Sequence, residues 1–335
     1  MIRCAIVGAS GYTGLELIKI LLNHPKFEIS YLATSEGGED IETMHPAFKE
    51  VFAKSVEKAD AKEIAKRCDL AFLALPHKTS MGFAKELLDL GVRVVDLSAD
   101  YRLSLENYEK YYCPHIDKKH LKDAVYGLPE FYRQNIESAD LVANPGCYPT
   151  AALLAIVPFL PYLESSHPLI IDAKSGVSGA GKKCTQKTHY VTINENIFAY
   201  NPIKHRHSIE IKEKAALLAQ EDFDVTFVPH LLPITRGMLV SCYATLKKEI
   251  DANEILEEFY ADEIFVRVRE TLPDVKSVSG TNFCDIFSMA NGKTLFVSSA
   301  IDNLLRGASA QAVVNANIMH SFPEDLGIPK IAYVP

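Results

Sequence analysis

The 335-residue chain has no apolar run long enough to span a bilayer, which excludes a membrane-spanning helix. It has no surplus of positive charge. Its 35 Lys and Arg stand against 43 Asp and Glu, a net charge of −8, whereas a nucleic-acid binder carries a concentrated basic face. The seven cysteines (Cys4, Cys68, Cys113, Cys147, Cys184, Cys242 and Cys284) are odd in number and form no Cys-x-x-Cys pair. That argues against a disulfide framework and against a structural zinc site, and it fits a reducing, cytoplasmic setting. The opening Met1-Ile2-Arg3-Cys4-Ala5-Ile6-Val7-Gly8 lacks the long apolar region of a signal peptide. No internal repeat, low-complexity segment or long linker interrupts the chain. What is left is a chain of ordinary soluble composition, long enough for about two domains.

The first third alternates short strands and helices. Arg3–Val7, Glu28–Ala33, Leu70–Leu75 and Arg93–Leu97 read as strands, the third ended by Pro76. Leu15–Leu22 and Met81–Leu90 have helical apolar spacing, the first stopping at Asn23-His24-Pro25. Continuous apolar strands alternating with helices predict a parallel sheet covered on both faces. Beyond Cys147 the texture changes. Pro168–Ala173, Asp224–Val228, Met238–Ala244, Ile264–Val268 and Thr294–Ala300 read as strands, and partial alternation in them predicts a mixed or antiparallel sheet with one face covered. The small-residue stretch Ala308–Met319 reads as a helix that packs back on the first domain.

Four segments carry chemistry. Gly8-Ala9-Ser10-Gly11-Tyr12-Thr13-Gly14 follows the first strand and opens the first helix. Its glycines permit a tight turn and close backbone approach to a pyrophosphate at the helix N-terminus. The second strand ends at Thr34-Ser35, hydroxyls where NAD sites usually place an acidic residue, which favours NADP(H) even though Glu36 follows. Pro76, at the end of a sheet strand, stands where the nicotinamide half of a cofactor could be met, and His77 beside it is assigned no catalysis. The second segment, Asn144-Pro145-Gly146-Cys147-Tyr148-Pro149-Thr150, turns an extended run into an apolar helix. Pro149 suits a first helical turn, and Cys147 then sits at the positive end of the helix dipole, a place that favours the nucleophilic thiolate; the competing reading is a buried structural cysteine. The third, Lys204-His205-Arg206-His207, offers proton carriers beside an arginine. Its His-x-His spacing has no matching ligand set elsewhere, so no metal is expected. The fourth, Ser175-Gly176-Val177-Ser178-Gly179-Ala180-Gly181, could line an anion or oxyanion pocket with its backbone donors, with Ser178 and Gly179 as candidate cofactor contacts; a flexible turn is the other reading.

Taken in chain order, these segments resemble the N-acetyl-gamma-glutamyl-phosphate reductase branch of the semialdehyde dehydrogenase family. Leu73-Ala74-Leu75-Pro76-His77, Asp96-Leu97-Ser98-Ala99-Asp100-Tyr101-Arg102-Leu103 and Tyr126-Gly127-Leu128-Pro129-Glu130 add to the resemblance. So do Pro233-Ile234-Thr235-Arg236-Gly237 and Ala300-Ile301-Asp302-Asn303-Leu304, which carry it through nearly the whole chain. It implies an α/β fold: an N-terminal Rossmann-type parallel-sheet domain (1–146 with 312–335) and an α+β catalytic and dimerisation domain with a mixed, largely antiparallel sheet (147–311). It implies Cys147 as nucleophile, His205 as catalytic histidine with His207 second, and Arg102, Glu210 and Arg236 shaping the substrate pocket. It implies reduction of a small acyl phosphate with NADPH in a cytoplasmic homodimer or homotetramer. The alternatives are a sister reductase of aspartyl phosphate or a carrier-linked aminoadipyl phosphate, and a non-catalytic NADP-binding sensor.

Overall fold

The computed structural model describes residues 1–334. Its elements begin with β1 (Ile2–Val7), α1 (Tyr12–Leu22), β2 (Phe27–Thr34), β3 (Glu39–Asp40), α2 (Ile41–Met44), β4 (Ser55–Lys58), α3 (Ala61–Arg67) and β5 (Leu70–Leu73). They continue with α4 (Ser80–Asp89), β6 (Arg93–Asp96), α5 (Leu105–Tyr111), α6 (Lys118–Asp123), β7 (Val125–Tyr126), α7 (Pro129–Glu137) and β8 (Leu141–Ala143). Then come α8 (Cys147–Ile156), β9 (Leu169–Gly176), α9 (Tyr190–Ile193), β10 (Phe198–Ala199), α10 (His207–Ala219), β11 (Val225–Leu232) and β12 (Met238–Thr245). The last are α11 (Ala252–Phe259), β13 (Val266–Val268), β14 (Cys284–Asn291), β15 (Thr294–Ile301) and α12 (Ala310–Met319). The chain divides into two compact units: Met1–Pro145 with Ala308–Pro329, and Gly146–Gly307 with the described residues from Lys330 on.

The sheet of the first unit has the order β3-β4-β2-β1-β5-β6-β8-β7. Only its β3–β4 edge pair is antiparallel. The residues from Cys4 to Val7 and from Leu70 to Leu73 are wholly buried, which is why these strands read as unbroken apolar runs rather than as alternation. The chain leaves β1 for β2 on one side and later returns to place β5 on the other. The turn after β1 therefore opens at the point where the strand order reverses, the usual ligand crevice of an open α/β sheet. The helix α12 belongs to this unit and carries buried amides with defined duties. Asn315 Nδ2 donates to the carbonyl of Gly127 (2.9 Å) and to Asn144 Oδ1 (3.1 Å), and Gln311 Nε2 also donates to Gly127 O (3.0 Å). Ser309 Oγ donates to Thr13 O at 2.9 Å, tying the entry of α12 to the glycine turn.

The second unit is built on the order β10-β11-β9-β12-β15-β14-β13, in which β9–β11 and β13–β14 are parallel and the other pairs antiparallel. The strand β11 alternates buried and half-buried residues along its whole length, as a sheet covered on one face requires. Against this sheet lies α8, buried from Tyr148 through Ile156. A helix surrounded on all sides needs no polar stripe, so Ala-Ala-Leu-Leu-Ala-Ile shows none. Full burial of Leu153, Leu154 and Ile156 contributes about 2 kcal/mol each. The helix is fixed to β15 by Ser299 Oγ, which donates to Ala151 O at 2.8 Å.

The α/β class, the parallel first sheet and the mixed, largely antiparallel second sheet are as expected. Several boundaries differ. The strand expected over Leu70–Leu75 stops at Leu73. The one expected over Asp224–Val228 runs on to Leu232 through Pro229, whose carbonyl accepts from Tyr200 N. The one expected from Ile264 begins at Val266, leaving Ile264 exposed. A π-helical turn, Leu305–Ser309, occupies the start of the expected helix from Ala308. The strand β14 was not anticipated, because Asp285, Ser288 and Asn291 interrupt its apolar residues. Among the described residues no helix is long and apolar enough to cross a membrane.

Candidate active site

In the first unit the three glycines of the turn do three different things. Gly8 has φ +103°, and an added Cβ would lie 2.2 Å from the carbonyl oxygen of Ala74 on the neighbouring strand end. Gly14, inside α1, would place a Cβ 2.4 Å from Gly8 O, so its hydrogen lets the helix pack on the turn. Gly11, the N-cap of α1, would meet nothing nearer than Gly8 O at 3.7 Å. No protein atom forbids a side chain there. Gly11 lends no side chain to the first N–H groups of α1, and no acidic residue lies in that turn to offset the dipole. Tyr12 and Thr13 are its first helical residues, and Ser10 is exposed beside them. These features fit a dinucleotide pyrophosphate.

Two substitutions separate these roles. Gly8→Ala is expected to lower unfolding stability by about 2 kcal/mol or more through strain and clash. Gly11→Ala is expected to change stability by less than about 1 kcal/mol while weakening NADPH binding about tenfold. Thermal melting and fluorescence titration of each variant check both expectations.

Thr34 ends β2, and its Oγ1 accepts from Gly37 N at 3.0 Å, while Ser35 is exposed next to it. Pro76 is exposed on a loop pinned from beneath. His77 Nδ1 accepts from Ala99 N at 2.9 Å. The buried carboxylate of Asp100 accepts from Lys78 N (2.9 Å), Met81 N (3.0 Å) and the Tyr108 hydroxyl (2.7 Å), and so holds Lys78 at φ +73°. Nearby, Asp96 accepts from the hydroxyls of Ser80 (2.6 Å) and Ser98 (2.7 Å), and burial pushes its carboxyl up to about 6. Neither aspartate was singled out from the sequence, although both lie in a quoted motif. Arg102 is also buried. Its Nε donates to Asn144 O and its Nη2 to Leu97 O, both at 2.7 Å, so it straps two strand ends together.

In the second unit Cys147 is the first residue of α8 and is partly exposed. Pro149 falls in the first turn, as expected. The buried cysteines differ in kind: burial pushes Cys68 up to about 11 and Cys242 up to about 12, so both remain thiols. Two neighbours place Cys147. Glu210, buried in the first turn of α10, accepts from Gly146 N at 2.9 Å and so ties the histidine helix to the N-cap of the cysteine helix. Gly307 approaches so closely that a Cβ on it would lie 2.7 Å from Cys147 Cβ. Nothing in the sequence pointed to Gly307, since it lies in no motif and meets Cys147 only through the fold.

His205 stands in an aromatic cage, edge-on to Tyr148 (5.8 Å), Tyr200 (5.4 Å), Phe227 (5.6 Å) and His207 (4.8 Å between ring centres). Burial, with the Arg206 charge second, lowers it to about 4. His205 Nδ1 accepts from His207 N at 3.1 Å, so the neutral ring carries its proton on Nε2. The group it presents is thus an N–H donor, a refinement of the general proton-carrying role expected for it. Two pH effects follow. No acid limb of turnover between pH 6 and 7 will come from His205; its limb lies near pH 4. A limb near 6.5 that disappears in His205→Gln would contradict this. Stability has the same sign: below pH 6.5 the unfolded chain takes up a proton that the folded chain refuses until about pH 4, so stability is lost as pH falls through that window.

The glycine-serine segment after β9 differs from expectation. The N–H groups of Gly176, Val177 and Ser178 donate to the carbonyls of Gly237, Ile234 and Thr235, and that of Gly181 to Ser178 O. Three of those donors stitch two loops together and the fourth closes a turn within the segment, so none of the four can cradle an anion. Ser178 Oγ accepts from Asn303 Nδ2 at 3.0 Å, and Gly179 is kept bare by Ser175 Oγ, 2.9 Å from where its Cβ would be. Arg236, on the stitched loop, pairs with Asp302 at 3.1 Å and keeps its side chain 17% exposed. Among the described residues no group of three or more His, Cys, Asp or Glu could hold a metal ion.

Comparison with known proteins places both units. Residues 3–139 match the family model described as semialdehyde dehydrogenase, NAD binding domain, and residues 147–303 the one described as semialdehyde dehydrogenase, dimerisation domain. The N-acetyl-gamma-glutamyl-phosphate reductase of Sulfurovum sp. is 58% identical over 335 residues, 100% of each chain. That of Wolinella succinogenes is 59% identical over 334 residues, covering 100% of this chain and 99% of its own. Among solved structures, aspartate semialdehyde dehydrogenase II from Vibrio cholerae has a TM-score of 0.73 at 15% identity, over 96% of this chain and 98% of that one. The aspartate semialdehyde dehydrogenase with NADP from Candida albicans has a TM-score of 0.72 at 13% identity, over 97% and 99%. At such identities the likeness is one of fold.

Proposed function

The chain belongs to the semialdehyde dehydrogenase family, and on that basis we propose that it reduces N-acetyl-glutamyl 5-phosphate to N-acetyl-glutamate 5-semialdehyde and phosphate with NADPH, a step of arginine biosynthesis. The observation that carries this reading is Cys147 as the first residue of α8, its N-cap held by Glu210, in a chain that such reductases match end to end.

Cys147 Sγ, as thiolate, attacks the acyl carbon. The S–C bond forms, the C–O bond to phosphate breaks, and phosphate leaves with that electron pair, giving a thioester. The dinucleotide, when bound, supplies a hydride to the same carbon. His205 holds its Nε2 proton toward the acyl oxygen as negative charge builds there, and His207 is the second member of the pair that handles the proton. Collapse of the thiohemiacetal restores C=O, breaks C–S and returns the thiolate. Gly8, Gly11 and Gly14, with Ser10, Tyr12 and Thr13, would hold the pyrophosphate of the dinucleotide, Thr34 and Ser35 its 2′-phosphate, and Pro76 its nicotinamide half. Arg236 takes the anionic end of the substrate, while Arg102 and Glu210 act by positioning main chain. The match of residues 147–303 to a dimerisation domain supports a homodimer or homotetramer, and the biosynthetic role a cytoplasmic location.

The test is phosphate-dependent reduction of NADP⁺ by N-acetyl-glutamate 5-semialdehyde, followed by absorbance, with aspartate semialdehyde in parallel. Turnover with the acetylated substrate alone is expected. Turnover with aspartate semialdehyde alone would keep the chemistry and replace the substrate. No turnover with either would favour a carrier-linked substrate or a sensor.

A further inference from the structure

We infer that Asp302 is a positioning residue that links the substrate arginine to the nucleophile, an inference that rests on the roles given above to Arg236 and Cys147. Asp302 follows β15 directly and is fully buried. Its carboxylate is shared between two tasks. Oδ2 accepts from Arg236 Nη1 at 3.1 Å and from Gly280 N at 2.7 Å. Oδ1 accepts from Leu304 N at 2.8 Å and from Leu305 N at 3.1 Å, capping the turn that runs into the π-helical segment. The main-chain carbonyl of the same residue accepts from Gly307 N at 2.9 Å. Gly307 is the residue whose bare Cα lies against Cys147. One side chain therefore fixes the guanidinium at one oxygen and, through the capped turn, the backbone against the thiol at the other.

A turn cap alone does not need a buried negative charge. Asn caps as well, without the desolvation cost that an ionised carboxylate brings to a dry interior. The charge makes sense as the partner of Arg236, whose guanidinium it holds in one orientation. The neighbour completes the grip: Asn303 Oδ1 accepts from Gly237 N at 2.7 Å, immediately after Arg236.

The two tasks come apart in Asp302→Asn, which keeps an oxygen for Leu304 N and Leu305 N and loses the charge facing Arg236. In the reverse assay, KM for phosphate or for the semialdehyde is expected to rise about tenfold, with kcat changed only severalfold. In an Arg236→Gln background the same change is expected to add almost nothing, because its target is gone. Asp302→Ala, which removes the cap as well, is expected to change the rate at which iodoacetamide alkylates Cys147, read on the Cys147 peptide by mass spectrometry, by about fivefold or more. Arg236→Gln is expected to leave that rate within about twofold. An Asp302→Asn effect on KM that is the same in both backgrounds would overturn the link to Arg236. An unchanged alkylation rate in Asp302→Ala would overturn the link to the thiol. The alkylation arm uses no substrate, so absence of acyl-phosphate turnover in the unaltered protein would count against the proposed reaction and leave this arm readable. If Asp302→Ala does not fold, Asp302→Asn and Arg236→Gln still decide the first link.

Discussion

Cys147→Ser is expected to lower turnover about a thousandfold or more, with NADPH binding and the melting temperature unchanged. The substitution is nearly isosteric, and the residue lies at a helix start where a hydroxyl is accepted without strain. What changes is ionisation. A helix N-terminus can hold a thiolate near neutral pH, but it cannot bring an alcohol within reach of ionisation. The glycine turn proposed to hold the dinucleotide belongs to the other compact unit, so the loss should not extend to cofactor affinity. The decisive measurement separates half-reactions. The unaltered protein, given acyl phosphate without NADPH, should release about one phosphate per active site in a rapid burst. Cys147→Ser should release none. A variant that kept a tenth of the activity, or kept the burst, would remove Cys147 from the role of nucleophile.

How much of this was legible beforehand depended on whether the signal was local. The glycine turn could be placed because Gly8, Gly11 and Gly14 stand between an apolar strand and a helical period, and the turn does join β1 to α1. Cys147 could be read because Pro149 marks the first turn of the helix that Cys147 begins. The direction of a side chain could not be read. Arg102 Nε and Nη2 donate to main-chain carbonyls and Glu210 accepts from Gly146 N, contacts that no motif announces. The donors of Gly176, Val177 and Ser178 looked available, but whether a loop's N–H groups are committed depends on what packs beside it, here the segment from Ile234 to Gly237. Asp302 lay inside a quoted motif without a role, because its partners come from three separate segments. The strand β14 was missed for a related reason: Asp285, which interrupts its apolar residues, is buried there with Arg267 Nε donating to its Oδ1, a pairing that only the fold creates.

Gly307→Ala is expected to cut kcat about a hundredfold while leaving KM for the substrates nearly unchanged. The backbone is not the obstacle. Gly307 lies in a helical segment and its φ is outside the left-handed region, so alanine there would be an improvement on propensity alone. The obstacle is a single contact. The new methyl would stand 2.7 Å from Cys147 Cβ and 3.2 Å from its Cα, against an ordinary carbon–carbon separation of about 3.5–4.0 Å. Neither atom is the far end of a flexible side chain. Relief therefore requires the first residue of α8 or the Leu305–Ser309 turn to shift, by on the order of 1 Å. The turn is held by the Asp302 carboxylate and by Gly307 N on Asp302 O, and α8 by Glu210 and by its burial from Tyr148 to Ile156. Both sides are rigid, so the strain divides between a thiol out of line with its target and a loss of about 1–3 kcal/mol of stability from overpacking. A misplacement of that size costs about two orders of magnitude in rate when the reacting atoms must approach in line. Steady-state kinetics together with denaturant unfolding read both parts. A folded Gly307→Ala protein with unaltered kcat would mean that the position of the thiol is set without this contact, and the close approach of the π-helical turn to Cys147 would then be packing alone.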